Sequence, residues 1–257
     1  LALMLYLQAP NSTDRSFQYG DGLFTTVRVK DGKAMLWDLH LQRLVSGAKA
    51  LLIHSFDTDE LTAQVQQAIS APDQVIKVLI SRGQAGRGYS PQGIESPCCY
   101  ISTAALPDYT TWQQQGIRLG VAGFKLAQQP ALAGVKHNNR LEQVLIKAEL
   151  AQSDVDELVV LDQSDAVIEV SAANLMFCKK GQWFTPALDQ AGVNGVMRQY
   201  LMAQLSVTEG RYRQADLQQS DAILICNALM GVVPVKEFAG QTKNIELVRQ
   251  FVSGVEL

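Results

Sequence analysis

Three stretches of this sequence carry residue types that can do chemistry together. The first is Gly134-Val135-Lys136-His137-Asn138-Asn139-Arg140-Leu141-Glu142, a lysine between a glycine-containing loop and a helical pattern. A lysine becomes a nucleophile or base when burial or a nearby cation lowers its pKa. The plain alternative is an exposed lysine ahead of a helix. The second is Gly192-Val193-Asn194-Gly195, which opens a helical pattern over 196–205. A helix N-terminus offers unpaired N–H groups and the positive end of a dipole, which suits a phosphate. The same four residues also make an ordinary turn. The third is Glu169, at the end of an apolar strand and followed by Val170-Ser171-Ala172-Ala173-Asn174. Either that strand is an edge with Glu169 facing water, or Glu169 is a carboxylate that holds a cationic ring nitrogen. Together the three supply a reactive lysine, a phosphate cradle and an acid for a pyridinium. Those are the requirements of a pyridoxal-phosphate (PLP) site.

Other site types are absent from the sequence. There is no G-x-x-x-x-G-K-[ST] loop and no G-x-S-x-G elbow. Gly83-Gln84-Ala85-Gly86-Arg87-Gly88 is glycine-rich without dinucleotide spacing. The histidines, His40, His54 and His137, are scattered, and a surface or packing role is the reading for the first two. The four cysteines form no C-x-x-C pair, which argues against zinc and against a disulfide framework and fits a reducing cytoplasm. The net charge of −3 gives no case for nucleic acid or an anionic membrane, although Arg82 and Arg87 cluster locally. Leu1–Leu7 is apolar but too short to cross a bilayer, and reads as a first strand.

These candidates need elements to position them. Leu23–Val29 is rich in β-branched residues and reads as a strand, turned by Asp31-Gly32 into Lys33–Leu36. Asp38 is placed to cap a helix with Leu41, Leu44, Val45, Ala48 and Leu52 in one stripe. A second helix starts near Thr58, and strands follow at Val75–Ile80 and Cys99–Ala104. Beyond Leu106–Tyr109 come a strand over Ile117–Phe124 and a helix over Asn139–Leu150. Short strands follow at Glu157–Leu161, Val167–Val170, Asn174–Phe177 and Gln182–Thr185. A helix over Val196–Leu205, a strand over Ala222–Cys226 and a helix near Asn244–Phe251 complete the chain. The elements are mixed without strict βαβ alternation, and hairpins such as Leu158–Val170 imply antiparallel pairing. The expected architecture is mixed α+β or α/β: an N-terminal domain over 1–106, a linker at 107–112 and a C-terminal domain over 113–257 carrying the lysine. A ligand site belongs in the cleft between two such domains.

With these residues in view, the chain resembles the fold-type IV PLP enzymes, a fold like that of D-amino-acid aminotransferase, and within them the aminodeoxychorismate lyases. The ordered blocks are Phe17–Arg28, His40–Leu44, Ile80–Gly83, Gly86–Ser90, the Lys136 segment, Glu169–Leu175, Leu188–Gly195, Cys226–Met230 and Val233–Val235. Transaminases of this fold share the lysine, the glutamate and the phosphate loop. Branched-chain transaminases carry Glu-Gly at Thr25-Thr26, a tyrosine at Leu141 and a Thr-containing run near Asn227; this chain follows the lyase pattern at all three. It departs from that pattern at Gly231, where a bulkier residue is expected.

The resemblance implies that Lys136 carries PLP and then acts as general base toward 4-amino-4-deoxychorismate, giving 4-aminobenzoate and pyruvate for folate synthesis. Glu169 keeps the pyridine nitrogen protonated. Arg43 binds the phosphate with the N–H groups of Val193 and Asn194, and Asn227 adds a polar contact. Thr26 lies near the reacting carbon, or else simply packs in its strand. Arg87 first, and Arg28 second, take the substrate carboxylates, with Arg82 anchoring their loop instead. A cytoplasmic homodimer is implied, because in related transaminases the arginine loop reaches over from the other subunit. The competing readings are a D-amino-acid or branched-chain aminotransferase and a non-catalytic relative.

Overall fold

A computed structural model describes residues 3–84 and 87–255. Internal contacts divide the chain into two compact units: Leu1–Pro107 with Val135–Asn139, and Asp108–Gly134 with Arg140–Leu257. The chain passes between the units after Pro107, after Gly134 and after Asn139, and a helix begins at Thr110 within the expected linker at 107–112. The lysine segment, expected in the C-terminal domain, packs with the first unit.

The first unit runs β1 (Leu5–Tyr6), α1 (Arg15–Tyr19), β2 (Gly22–Lys30), β3 (Lys33–Ala34), α2 (Trp37–Ala50), α3 (Thr58–Gln67), β4 (Gln74–Ser81) and β5 (Cys98–Ala104). Its sheet has the order β1-β5-β4-β2-β3, with β1 parallel to β5 and the other neighbours antiparallel. Of the expected first strand, Leu5–Tyr6 is observed, and Leu1 and Ala2 lie outside the described residues. The turn at Asp31 and Gly32 has φ of 51° and 72°, the conformation that joins two strands in a tight hairpin.

Strand β2 has two faces, because side chains alternate along a strand. Leu23, Thr25, Val27 and Val29 are fully buried, whereas Phe24, Thr26, Arg28 and Lys30 are half-buried. Helix α2 packs into the core with His40, Leu44, Gly47 and Ala48. A Cβ at Gly47 would lie 2.5 Å from Leu23 Cδ1, so the glycine lets helix and strand close together. This corrects the expected stripe: Val45 and Leu52 are exposed, and a polar His40 holds a core position instead. Asp38 is not the cap either. Leu36, at φ 54°, precedes the helix, and Asp38 sits in the first turn, where its charge meets the positive dipole end.

The second unit runs α4 (Thr110–Gln115), β6 (Ile117–Val121), α5 (Leu141–Leu150), β7 (Glu157–Leu161), β8 (Val167–Val170), β9 (Asn174–Lys179), β10 (Gln182–Pro186), α6 (Val196–Gln204), β11 (Val207–Gly210), α7 (Gln214–Gln218), β12 (Ala222–Asn227), β13 (Gly231–Phe238), β14 (Gln241–Thr242) and α8 (Ile245–Val252). Its sheet has the order β11-β10-β9-β12-β13-β6-β7-β8, with β14 on β13. The pairs β10/β11, β13/β6 and β6/β7 are parallel, and β7/β8 is antiparallel as expected. Phe177, Phe238, Leu175 and Ile223 fill its core. The expected helix from Asn139 begins at Leu141; Asn139 belongs to the first unit, where its side-chain Nδ2 donates to Gly20 O at 3.1 Å. Among the described residues no helix is long and apolar enough to cross a membrane.

Candidate active site

In the first unit, the segment containing Lys136 pairs with the start of β2. Phe24 N donates to Lys136 O at 3.0 Å, and Asn138 N donates to Gly22 O at 2.9 Å. Two glycines make room for it. A Cβ on Gly20 would sit 2.3 Å from Asn139 Oδ1, and one on Gly22 would sit 2.7 Å from Asn138 Nδ2. Lys136 Nζ is 4.7 Å from the centre of the Phe24 ring. Lys77 Nζ lies 4.8 Å from the same ring, and Lys77 stands opposite Thr26 in the sheet register. Thr26 and Arg28 share the Phe24 face of β2 by strand alternation. The face that meets the lysine thus carries Thr26 and Arg28, together with Lys77, which the sequence reading did not single out.

The opposite face holds a second unanticipated group. The Thr25 hydroxyl lies 2.6 Å from His40 Nδ1, and Arg43 Nη1 donates to Thr25 Oγ1 at 3.4 Å. His40 is fully buried, so the surface reading does not hold, and it is more than a packing residue. Its pKa is lowered to about 3, first by burial and then by the positive charges of Arg43 and Lys136. His40 is therefore neutral at physiological pH. Thr25 and His40 together orient the guanidinium of Arg43. The signal was present in the sequence: a histidine on the helix stripe facing a threonine on the buried face of a strand.

In the second unit, Glu169 lies on β8 at the end of the sheet, yet it is only 6% exposed. The edge reading is right and the water-facing one is not. Glu169 Oε2 accepts from Val193 N at 2.9 Å. Asn194 N donates to Gly134 O at 3.0 Å, and Gly134 N donates to Gly192 O at 2.9 Å. Both loop amides expected to face a phosphate are thus engaged within the protein. The amides without an intrahelical partner belong to the first turn of α6. Burial lowers the pKa of Arg140, and the charges of Glu169 and then Glu142 oppose that shift.

The loop 192–195 is tightly built. Asn174 Nδ2 donates to Val193 O at 2.8 Å, and its Oδ1 accepts from Gly195 N at 3.0 Å. A Cβ on Gly195 would come within 1.9 Å of that Oδ1. Buried Arg198 donates to Asn194 Oδ1 at 3.0 Å and to Pro186 O at 2.9 Å, and pairs with Glu209. Asn174 stood within the Glu169 block, whereas Arg198 gave no sequence signal. Asn227 Oδ1 accepts from Leu229 N and Met230 N, both at 2.9 Å, and its Nδ2 donates to Ala172 O at 3.1 Å. Asn227 therefore shapes the turn after β12, with one Nδ2 hydrogen remaining for a ligand. Arg87 is exposed on its loop, and Ala85 and Gly86 lie outside the described residues. Arg82 is buried and bonds Asp21, Leu51 O and Leu52 O, so it anchors the end of α2.

A family model described as amino-transferase class IV matches residues 22–238. The chain belongs to that family. Among class IV relatives, an aminodeoxychorismate lyase of Vibrio harveyi is 40% identical over 91% of this chain and 89% of its own length. The crystal structure of 4-amino-4-deoxychorismate lyase from Pseudomonas aeruginosa superposes with a TM-score of 0.90 at 33% identity, covering 98% of this chain and 97% of that one. A putative branched-chain-amino-acid aminotransferase of Methanocaldococcus jannaschii is 27% identical over 90% of this chain and 83% of its own. The class IV fold is thus the one expected from the ordered blocks.

Proposed function

We propose that this chain is a PLP-dependent carbon–oxygen lyase that converts 4-amino-4-deoxychorismate to 4-aminobenzoate and pyruvate. The observation that carries this reading is its full-length likeness to two aminodeoxychorismate lyases, at 40% and 33% identity. The side chains fit PLP. A lysine Nζ rests against an aromatic ring, a guanidinium is steered by a buried hydroxyl, and a buried carboxylate accepts from an N–H. When bound, PLP supplies the sink for the electron pair released as a carbon–hydrogen bond breaks.

Lys136 Nζ is the attachment point and then the base, taking the proton from the ring carbon that bears the amino group. Glu169 would keep the pyridine nitrogen protonated, which makes the electron sink effective. Arg43 would give the phosphate charge-assisted bonds, and Val193, Asn194 and Asn227 are the further candidates to hold it. Thr26, on the Lys136 side of β2, steers the proton. Arg87 and Arg28 hold the two substrate carboxylates. Loss of one ring proton and of the enolpyruvyl oxygen leaves an aromatic ring, and the departing enol takes up a proton to become pyruvate. The reaction is redox-neutral and needs no second substrate.

As the reading implies, the enzyme is a cytoplasmic homodimer whose product enters folate synthesis. The aminotransferase reading is favoured by the likeness to the archaeal relative. It requires a 2-oxo acid as amino acceptor. Purified protein loaded with PLP is given 4-amino-4-deoxychorismate, and 4-aminobenzoate is measured with Lys136→Ala as control. Product from wild type alone supports the lyase. No product, with amino transfer to a 2-oxo acid, replaces it with the aminotransferase.

A further inference from the structure

We infer that Arg15 is the positioning residue for the loop that carries Arg87, acting through the backbone carbonyls of Gly88, Tyr89 and Ser90. The inference rests on the proposal above that Arg87 holds a substrate carboxylate.

The Arg15 side chain is 4% exposed. Its Nε donates to Asp21 Oδ2 at 2.7 Å, Nη1 to Gly88 O at 2.9 Å and Ser90 O at 3.4 Å, and Nη2 to Tyr89 O at 2.9 Å. Three consecutive carbonyls converge on one guanidinium, whose planar fork can serve several acceptors at once. A chain that turns every carbonyl inward must curl, and Gly88 supplies the required backbone at φ 106°. Tyr19 completes the clamp: its hydroxyl accepts from Gly88 N at 3.3 Å, and its ring packs edge-on against Tyr89 at 5.2 Å and under the Arg15 guanidinium at 5.1 Å.

The clamp is itself held rigidly. Asp14 is fully buried and accepts from Ser16 N, from the Ser81 hydroxyl and from the Tyr100 hydroxyl. Arg15 N donates to Gly83 O at 3.0 Å, at the start of the same loop. Asp21 is shared between Arg15 and Arg82. Burial raises its pKa, but the hydrogen bonds from Arg82 and Arg15 outweigh burial and hold it below the ordinary value. One anion therefore fixes both guanidinium groups. A five-residue helix is costly to form unless its neighbours use it, and here α1 places two side chains on one loop.

The arrangement also gives the loop an anion-binding polarity. In a trans peptide the N–H points opposite to the C=O. With the carbonyls of Gly88 and Tyr89 turned to Arg15, the amides of Tyr89 and Ser90 point away from it, on the side left for an acidic ligand. Arg15 thus spends its charge on the backbone, so that Arg87 can spend its own on the substrate.

The test compares wild type, Arg15→Gln, Arg87→Ala and the double variant, as loaded holoenzyme. Arg15→Gln is expected to raise KM about tenfold, with kcat and the cofactor absorbance near wild type, as befits loss of charge-assisted bonds outside the chemistry. In the Arg87→Ala background it should add less than about twofold, because the loop has nothing left to position. Trypsin should cut after Arg87 about tenfold faster in Arg15→Gln, since a released loop opens more often. An unchanged KM, or effects that multiply in the double variant, would overturn the inference, as would an unchanged cleavage rate. If Arg15→Gln is insoluble, Tyr19→Phe carries the same two readouts. A wild type that forms no 4-aminobenzoate overturns the proposed activity, while the cleavage rate still decides the clamp.

Discussion

Thr25 and Thr26 are neighbours in sequence with opposite environments, and replacing each by valine separates a structural hydroxyl from a catalytic one. Thr25 is fully buried and its Oγ1 is 2.6 Å from His40 Nδ1. His40 Nε2 is buried without a hydrogen-bond partner. Thr25→Val keeps the volume and removes the hydroxyl, leaving an imidazole with neither nitrogen paired. An orphaned buried polar atom costs about 1–3 kcal/mol. For a chain of this length that is a fall in Tm of roughly 2–4 °C per kcal/mol. Arg43 Nη1 loses an acceptor as well, so PLP affinity should fall by about tenfold, the scale of one charge-assisted bond. Thr26→Val, on the half-buried face, should leave Tm and PLP affinity near wild type and lower kcat. Thermal unfolding of both apo variants and titration with PLP followed by visible absorbance measure the contrast. Equal Tm values for Thr25→Val and wild type would refute the reasoning, because the buried hydroxyl would then be holding nothing.

The pKa of His40, lowered from 6.5 to about 3, implies an acid limb in stability. The unfolded chain binds a proton below pH 6.5 that the folded chain excludes, so each pH unit from 6.5 down toward 3 costs about 1.4 kcal/mol. Urea unfolding across that range should show the slope in wild type and a flatter one in His40→Asn. Glu169→Gln keeps an acceptor for Val193 N but cannot hold a proton on a ring nitrogen. It should preserve Tm and lower kcat by about a hundredfold or more, which steady-state kinetics beside calorimetry can check.

Much of the fold was legible because long periodic segments carry strong signals. Strand β2 was expected from its β-branched residues, and α3 and α8 begin at or next to the expected Thr58 and Asn244. Helices α1 and α7 are five residues long, too short for an apolar period to register. The candidate site could be read from the sequence only as a set of candidate residues, such as Lys136, Glu169 and Arg43. It was not legible where it depends on which atoms are already spoken for. The amides of Val193 and Asn194 look free in a Gly-Val-Asn-Gly turn, and only the folded chain shows them bonded to Glu169 and Gly134. Arg82, expected to anchor the arginine loop, is buried on Asp21 and the end of α2, whereas Arg87 is exposed.

The pairing of Lys136 and Asn138 with Phe24 and Gly22 has a consequence for how the chain is made. As the chain emerges from the ribosome, residues 1–107 appear first, with β2 open along its Gly22–Phe24 edge. The five residues that close that edge, Val135–Asn139, come only after 108–134 have been synthesised. Until then the nascent front half exposes unpaired strand groups, which invite pairing with other chains. Vectorial synthesis therefore delays the finished sheet and the lysine to the same moment. A front half truncated at Pro107 stays at that stage permanently, lacking the lysine and the segment that covers its edge.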